Sequence, residues 1–360
     1  MLPMKWPLKA GQSLACMLAV LTLAIPAHAQ TLDKVVVAMT GGLADAPVIV
    51  AQERGYFRQQ NLNLEKVVFP SAAQTIVPMA SKQLDVVGGA ISAGLYSAVE
   101  RGVMIKAVAD RSHTSHGIPY ITVFVRKDLV DSGRFKTLKD LKGLKFAIAA
   151  KGITVHALLD AGLQSAGLNF GDVELVHMNY TNQVLAFKNK ALDASLMGEP
   201  QATDLVNSGD GVRFMNTNDY FPNYVVTVFH YGETMLKDRP DVGRRFMIAL
   251  MRGMRDYNDA MDDKGLLAKG NDDIIAAFER EFKMPAAMLR TVYSHSVDPN
   301  GQINMRSLDI DWNFMQREKL VSGKIRPAEL IDESFAKQAA AALGPYTRKT
   351  RKTRKPPKTL

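Results

Sequence analysis

The sequence has 360 residues, 47% of them apolar, which is enough for two hydrophobic cores and excludes a largely disordered chain. Its net charge of +9 comes from the two ends: two lysines lie in the first 29 residues and seven cations lie between Arg348 and Lys358, and neither segment contains an acid. The body between these ends carries no net charge. That balance argues against a duplex-binding face and predicts no nucleic-acid partner.

Residues 1–29 have the pattern of a secretory signal peptide. Lys5 and Lys9 precede an apolar run at 14–25, and Ala27-His28-Ala29 is a small-x-small cleavage site. The run is too short for a membrane span, so we expect a soluble periplasmic protein. Cys16 is the one cysteine and lies inside this run, in a poor match to a lipid-attachment box. Cleavage after residue 29 would leave no thiol, which excludes disulfides, zinc–thiolate sites and cysteine nucleophiles.

The chain then begins with a strand, a glycine turn and a helix. Residues 35–39 are a continuous apolar run typical of a buried strand, and Thr40-Gly41-Gly42 forms a turn where a ligand can approach the backbone. Asp45 is expected to cap the following helix, Pro47 lies in its first turn, and Gly55 ends it in the left-handed conformation. A second strand begins near residue 62.

Two further turns, like the one at 40–42, are predicted to face a ligand. Residues 71–74, Ser-Ala-Ala-Gln, have the capping-box pattern and predict a helix whose free N–H groups face a cleft. After a strand at 84–87, the small residues 88–92 let a ligand approach, and Ser92 caps the next helix. A strand at 103–109 is followed by a polar stretch at 110–120, which we interpret as a first crossing between lobes, and by a strand at 121–125.

The second half repeats this arrangement. A short helix at 137–143 and a strand at 145–149 lead to the turn at 151–154, which opens a helix. Thr154 offers a hydroxyl there, and the first-turn N–H groups can bind an anion. His156 is either a packing residue or a ligand contact.

A repeated tetrapeptide supports two similar α/β halves. The unit Lys-x-Leu-Asp followed by a small residue occurs at 82–86 and again at 190–194. Glu199, in Gly-Glu-Pro, is either a cleft contact or a structural cap. The apolar segment 220–231 predicts the return crossing, with Tyr224 facing the cleft, and the chain from 233 onward is mostly helical.

Patterns of catalysis and metal binding are missing from the sequence. It contains no G-x-S-x-G, H-E-x-x-H, phosphate-loop or G-x-G-x-x-G motif. His113 and His116 lack neighbouring cysteines or an acid cluster, so a metal site is not expected there. We therefore predict a protein that is not an enzyme and that needs neither a metal nor a cofactor.

Two segments resemble a known family. The A-x-x-x-G-Y-F centre at 51–57 and the segment LKDLKGLKFAIAAKGITVHALLDAGLQSAGL at 138–168 are similar to periplasmic substrate-binding proteins of ABC transporters. That family includes nitrate-, sulfonate-, taurine- and thiamine-precursor-pyrimidine-binding proteins. Ile153 departs from it, because a serine that donates a hydrogen bond is common there. The eukaryotic thiamine-pyrimidine synthase shares the fold but carries a cysteine-rich iron motif that this sequence lacks.

The resemblance implies an α/β, type II periplasmic-binding-protein fold with two lobes joined by a two-crossing hinge. Lobe 1 would comprise 30–118 plus 225–343, lobe 2 would comprise 119–224, and 344–360 would be a basic disordered tail. The implied protein is a monomer that captures a ligand between its lobes and delivers it to an inner-membrane permease.

We expect the ligand to be a small organic anion, a sulfonate or a carboxylate. No Arg or Lys cluster stands at the predicted cleft turns, so turns, hydroxyls and helix N-termini would hold it. The predicted ligand-binding residues are Thr40, Gly41, Gly42, Ser71, Gln74, Gly89, Ser92, Thr154, His156, Glu199 and Tyr224. The alternatives are a thiamine-precursor pyrimidine stacked on Tyr120 and Tyr224, a periplasmic sensor subunit, and a protein that adheres through its basic tail.

Overall fold

Ten strands occur in the described residues, which are 31–69, 72–221 and 223–349 of a computed structural model. All of the strands belong to one compact unit that begins at Asp33. They are β1 (Asp33–Met39), β2 (Leu62–Val68), β3 (Val86–Gly89), β4 (Ile105–His113), β5 (Ile121–Arg126), β6 (Lys145–Ile148), β7 (Glu174–His177), β8 (Ala194–Gly198), β9 (Gly211–Asn216) and β10 (Val225–Gly232).

Helices connect and cover these strands. They are α1 (Ala46–Glu53), α2 (Tyr56–Gln59), α3 (Ile76–Ala80), α4 (Ala93–Glu100), α5 (Lys127–Asp131), α6 (Thr154–Ser165), α7 (Tyr180–Lys188), α8 (Gln201–Asn207), α9 (Pro240–Ala260), α10 (Asp272–Phe282), α11 (Ala286–Leu289), α12 (Met305–Arg317), α13 (Pro327–Leu330) and α14 (Ser334–Leu343). Among the described residues, no helix combines the length and the apolar character that a membrane crossing requires.

The first sheet has the strand order β2-β1-β3-β10-β4. β1 lies parallel to both of its neighbours, and Val37 pairs with Lys66 on one side and with Val86 on the other. β10 runs antiparallel to β3 and β4. The central strand β1 buries Val35, Val37 and Met39, as its continuous apolar run predicts for a strand covered on both faces.

The second sheet repeats the pattern with the order β7-β6-β8-β5-β9. β6 is parallel to β7 and β8, and β5 is antiparallel to β8 and β9. The chain passes between the sheets twice, from β4 to β5 and from β9 to β10. The predicted α/β fold with two sheets and two crossings is thus confirmed. We call each sheet with the helices packed on it the first half and the second half.

Several local predictions from the sequence are confirmed. Pro47 lies in the first turn of α1, Gly55 has a left-handed φ of 69°, and the Ser92 side chain accepts a hydrogen bond of 3.2 Å from the Leu95 N–H. The predicted end of one strand is wrong, because β4 continues to His113 through polar residues that were expected in the crossing. Strand β9 was not predicted.

The core of the first half depends on a close approach between two helices. α9 crosses α1 at Gly253, where an added Cβ would lie 2.4 Å from the Pro47 carbonyl oxygen and 2.6 Å from the Ala51 Cβ. Both atoms are held rigidly in α1. Glycine is therefore required here in spite of its low helix propensity.

Gly253→Ala is expected to lower the free energy of unfolding by about 1–3 kcal/mol, because the two helices must separate to admit a methyl group. Gly94→Ala in α4 is the matched control: its nearest neighbour is the flexible end of Ile76 at 3.3 Å, so helix propensity should leave stability unchanged or raised. Urea denaturation measures both. Equal effects of the two substitutions would contradict the close packing of α1 and α9.

Candidate functional site

The carboxyl ends of the parallel strands in the two halves face one another, and two of their turns touch. Residues 90–93, after β3, meet residues 152–154, after β6. The Ala93 N–H donates a hydrogen bond of 3.1 Å to the Gly152 carbonyl oxygen, and Ser92 forms an isolated bridge with Ile153. The structure thus brings together Ser92 and Thr154, which the sequence predicted on opposite sides of a cleft.

The two halves also line a common cavity of about 390 Å³. The first half contributes the turn after β1 and the segment joining α10 to α11, and the second half contributes α7 and the start of α8. The lining residues are Gly41, Gly42, Leu43, Thr181, Val184, Leu185, Lys188, Pro200, Gln201, Asp204, Phe282, Lys283, Met284, Pro285 and Met288. We call this space the interface cavity.

Three charged side chains line the interface cavity. Lys188 ends α7 in the second half, Lys283 follows α10 in the first half, and Asp204 lies in α8. None of the three forms an ion pair with another described residue. Their sum is one positive charge, and most of the other lining residues are apolar, so the lining suits a singly charged anion with an apolar part.

The turn after β1 is held from within the first half. Asp45 does not cap α1 as predicted; its Oδ2 instead accepts hydrogen bonds from the Thr40 N–H (3.1 Å) and the Gly41 N–H (2.8 Å). Two of the N–H groups in the turn that the sequence offered to a ligand are therefore already bonded. Asp45 fixes the shape of the turn that carries Gly41 and Gly42 into the cavity wall.

Arg111 is the partner of Asp45, and both side chains are only 1% exposed. The Arg111 guanidinium pairs with the Asp45 carboxylate and donates hydrogen bonds to Thr40 Oγ1 (3.0 Å) and Thr227 Oγ1 (3.1 Å). An added Cβ at Gly88 would lie 2.5 Å from Arg111 Nε, so glycine there makes room for the guanidinium. Arg111 is a single arginine, so it does not contradict the expectation that no Arg or Lys cluster stands at the predicted cleft turns.

Glu199 acts as a cap in the second half. Its carboxylate accepts a hydrogen bond of 2.9 Å from the Thr203 N–H in α8 and pairs with Arg213 of β9. Burial raises the pKa of the Glu199 carboxyl, and the neighbouring Arg213 opposes that shift. Of the two interpretations left open by the sequence, the structural cap is the one that these contacts support.

Thr154 and Tyr224 converge on a residue that the sequence did not single out. Thr154 Oγ1 donates a hydrogen bond of 3.1 Å to Asp311 Oδ2, and the Tyr224 hydroxyl donates to Asp311 Oδ1. All three side chains are buried. Both hydroxyls are thus engaged with α12 and do not reach the interface cavity.

His156 packs in the interior. Its Nδ1 accepts a hydrogen bond of 3.2 Å from the Gly152 N–H, and its ring lies 4.8 Å from Phe170 and 4.9 Å from Phe314 between centroids. Burial, followed by the nearby His177, lowers the pKa of His156 to about 4. It is therefore a neutral packing residue at physiological pH.

The other predicted ligand-binding residues are dispersed. Gly89 is buried, and an added Cβ there would lie 2.2 Å from the Ala72 Cβ, whereas Gln74 is exposed on the short helical segment Ala72–Thr75. Ser71 lies outside the described residues, as do the predicted signal peptide and most of the basic tail. Among the described members of the predicted set, Gly41 and Gly42 alone line the interface cavity, and ligand contact by the set stays a prediction.

The sequence did not predict roles for Arg111, for Asp311 or for the charged residues that line the cavity. Asp311 had a usable signal, because it occupies the apolar face of α12 between Leu308 and Met315. Lys188 and Lys283 had none, because exposed lysines at helix ends are common. In the described part of the chain, no group of three or more His, Cys, Asp or Glu side chains is arranged to hold a metal ion.

Comparison with known proteins gives sequence relatives of two descriptions. A putative thiamine biosynthesis protein from Haemophilus influenzae is 31% identical over 136 residues, which are 38% of this chain and 40% of that protein. The chain thus matches less than half the length of this relative. A putative binding protein from Brucella abortus is 25% identical over 244 residues, covering 67% of this chain and 69% of that protein.

Solved structures with the same fold include both binding proteins and an enzyme. The periplasmic aliphatic sulphonate binding protein SsuA from Escherichia coli matches with a TM-score of 0.66 and 15% identity over 84% of this chain and 99% of that chain. The desulfurization enzyme DSZB matches with a TM-score of 0.61 and 12% identity over 87% of this chain and all of the enzyme. At such identities the likeness concerns the fold alone.

The sequence model of one family, described as NMT1/THI5 like, matches residues 44–262. That range begins after the turn following β1 and continues through the whole second half to the end of α9. It covers more than half of the chain. The protein therefore belongs to the NMT1/THI5-like family and has the two-sheet fold of periplasmic substrate-binding proteins.

Proposed function

We propose that this protein is the solute-binding component of an ABC importer and captures a small organic anion between its two halves. The observation that carries the proposal is the interface cavity, about 390 Å³ in volume, whose walls come from both halves. A cavity of this size suits a small molecule. The sulphonate-binding name of the Escherichia coli structure and the binding-protein name of the Brucella relative support the same role.

Closure would follow from the position of the cavity. A ligand that contacts both halves stabilises the closed form over any form in which the halves are apart. The two chain crossings are the natural hinge for that motion, and an inner-membrane permease would recognise the closed form. The signal-peptide pattern at 1–29 supports a periplasmic location for these events.

The cavity lining favours a singly charged organic anion. Lys188 and Lys283 lie on opposite halves, so one anionic head group can attract both, and Asp204 limits the net positive charge to one. Leu185, Met284 and the other apolar lining residues would cover a hydrocarbon part. An inorganic anion such as nitrate has no hydrocarbon part, so those apolar side chains would stay exposed to water.

A thiamine-precursor pyrimidine is the second candidate, and the name of the Haemophilus relative favours it. The rings predicted to stack on a pyrimidine already have partners. Tyr120 lies 5.4 Å from the His295 ring, and Tyr224 packs edge-on against Phe221 at 4.5 Å between centroids. These contacts give the pyrimidine less support than the lysines give the anion.

Thermal unfolding in the presence of candidate ligands tests the proposal. The panel is butanesulfonate, butyrate, benzoate, nitrate and a hydroxymethyl aminopyrimidine. A ligand at 100 times its dissociation constant adds about 2.7 kcal/mol of stability, which should raise the midpoint by roughly 5 to 10 °C. We expect this shift from an organic anion. A shift from the pyrimidine alone would favour the second candidate, and turnover of a bound compound would replace the binding role with an enzymatic one.

A further inference from the structure

Asp311 is a buried carboxyl at the contact between the two halves. It lies in α12, which packs in the core of the first half, and it is 0% exposed. Its two oxygens accept hydrogen bonds from Thr154 of α6, in the second half, and from Tyr224, at the end of the return crossing. The same carboxyl therefore joins the first half, the second half and the hinge.

Asp311 belongs to a row of contacts along one face of α12. Phe314, one turn further on, packs against the His156 ring of α6 at 4.9 Å, and Arg317 forms an ion pair of 2.6 Å with Asp160 of α6. The spacing of three residues places all three side chains on one face of the helix. Within this row Asp311 is the buried polar residue, and Arg317, at the other end of the row, is exposed to solvent.

In the part of the chain that the structure describes, no cation pairs with the Asp311 carboxyl. It forms no ion pair with a described residue, and both of its recorded partners are neutral hydroxyls. A buried carboxylate without a cation is costly, so such groups take up a proton instead. Burial accordingly raises the pKa of Asp311 well above its usual range, although the Thr154 hydroxyl opposes the shift.

We propose that Asp311 is a proton-linked latch, which carries a proton while the two halves are closed and releases it when they separate. In the protonated carboxyl one oxygen donates its hydrogen, and the Thr154 or Tyr224 hydroxyl beside it accepts that hydrogen. Separation of α6 from α12 would admit water, which hydrates the ionised carboxylate in place of the Thr154 hydroxyl. The ionised carboxylate is then stable in the open form and unfavourable in the closed form. This inference rests on the proposed opening and closing of the halves, and it is independent of which ligand is bound.

The titratable groups near Asp311 do not account for a change in the open and closed populations between pH 5 and 8. His156 of α6 has a pKa lowered to about 4 by burial, and Tyr96 of α4 has a pKa raised by burial, so both stay neutral between pH 5 and 8. Asp309 is exposed on the same helix, and Arg326 packs over the Trp312 ring. Asp160 is already paired with Arg317.

The direction of the pH effect follows from the raised pKa. The closed form binds the proton more tightly than the open form, so closure is favoured at low pH and is lost as the pH rises. Above the ordinary carboxyl pKa of about 4, the ratio of open to closed molecules should grow up to about tenfold per pH unit until the closed-form pKa is reached. Ligand affinity should fall over the same range.

Spin-label distances can measure the opening directly. Labels are attached to the full chain through Val77→Cys in α3 and Val206→Cys in α8, which are 76% and 39% exposed and lie on opposite halves, with Cys16→Ser as background. In this background the long-distance population should rise between pH 5 and 9. With Asp311→Asn, which keeps the shape but cannot ionise, the population should not change with pH. Asp309→Asn is the matched control and should behave like the background.

Infrared spectroscopy gives an independent readout. The band of protonated carboxyls at pH 7 should be weaker in Asp311→Asn than in the unsubstituted protein and unchanged in Asp309→Asn, because any contribution from Glu199, whose pKa burial also raises, is common to all three. An equal band in Asp311→Asn and in the unsubstituted protein, or an equal pH response of their spin-label distances, would overturn the latch. If ligand shifts the distance but pH does not, the latch fails and the binding function stands. If neither shifts it, the proposed closure fails as well.

Discussion

Arg111→Met should lower the free energy of unfolding by about 3–5 kcal/mol, the usual cost of leaving one partner of a buried ion pair without its counter-charge. Asp45 is 1% exposed, and after the substitution only the Thr40 and Gly41 N–H groups would face its carboxylate. The turn that Asp45 shapes should loosen at the same time, and with it one wall of the interface cavity. Urea denaturation and ligand titration measure the two effects.

The matched test adds Asp45→Asn to the same background. Asparagine keeps an oxygen that accepts hydrogen bonds from the turn but removes the buried charge, so the double substitution should cost less than the sum of the single ones. Such a coupling is expected for residues in direct contact. Simple additivity, or a loss below about 1 kcal/mol for Arg111→Met, would show that the pair does not hold the turn.

The sequence predicted best those features that depend on residues close together in the chain. The apolar run of β1, the proline in the first turn of α1 and the left-handed Gly55 each depend on neighbours within a few residues. The strand, turn and helix units, repeated in both halves, were enough to predict the α/β class and the two sheets. The cap at Ser92 is of the same kind, because its partner lies three residues away.

The interior of the site depends on contacts that are distant in the chain. Arg111 and Asp45 are 66 residues apart, and the polar stretch around Arg111 looks like a loop unless its partner is known. Asp45 was equally ambiguous, because a local helix cap and a distant arginine compete for the same carboxylate. The distant partner and the turn N–H groups prevail in the folded protein, and this competition cannot be resolved from local sequence.

The turns predicted to bind a ligand illustrate a second limit. Free N–H groups and hydroxyls mark a possible site in a sequence, but folding can use them internally. Thr154 bonds to Asp311, and the N–H of Ala93 bonds to the Gly152 carbonyl across the two halves. What remains open between the halves is lined instead by side chains of α7, α8 and the segment after α10, whose meeting point depends on the arrangement of both sheets.

Replacing both cavity lysines, Lys188→Met and Lys283→Met, should weaken binding of a singly charged organic anion roughly a hundredfold, and each single substitution should weaken it roughly tenfold. Methionine keeps most of the length of each side chain and removes the charged ammonium group. Asp204→Asn should act in the opposite direction and tighten binding, because it removes the one carboxylate of the lining.

Lys337→Met in α14, which loses the same charge outside the cavity, should have no effect. Calorimetric titration with butanesulfonate or butyrate, whichever stabilises the unsubstituted protein, measures all five variants. Unchanged affinity in the double lysine variant would remove the interface cavity from the binding site, whereas opposite effects of the lysine and aspartate substitutions would place the charge of the ligand between α7 and α10.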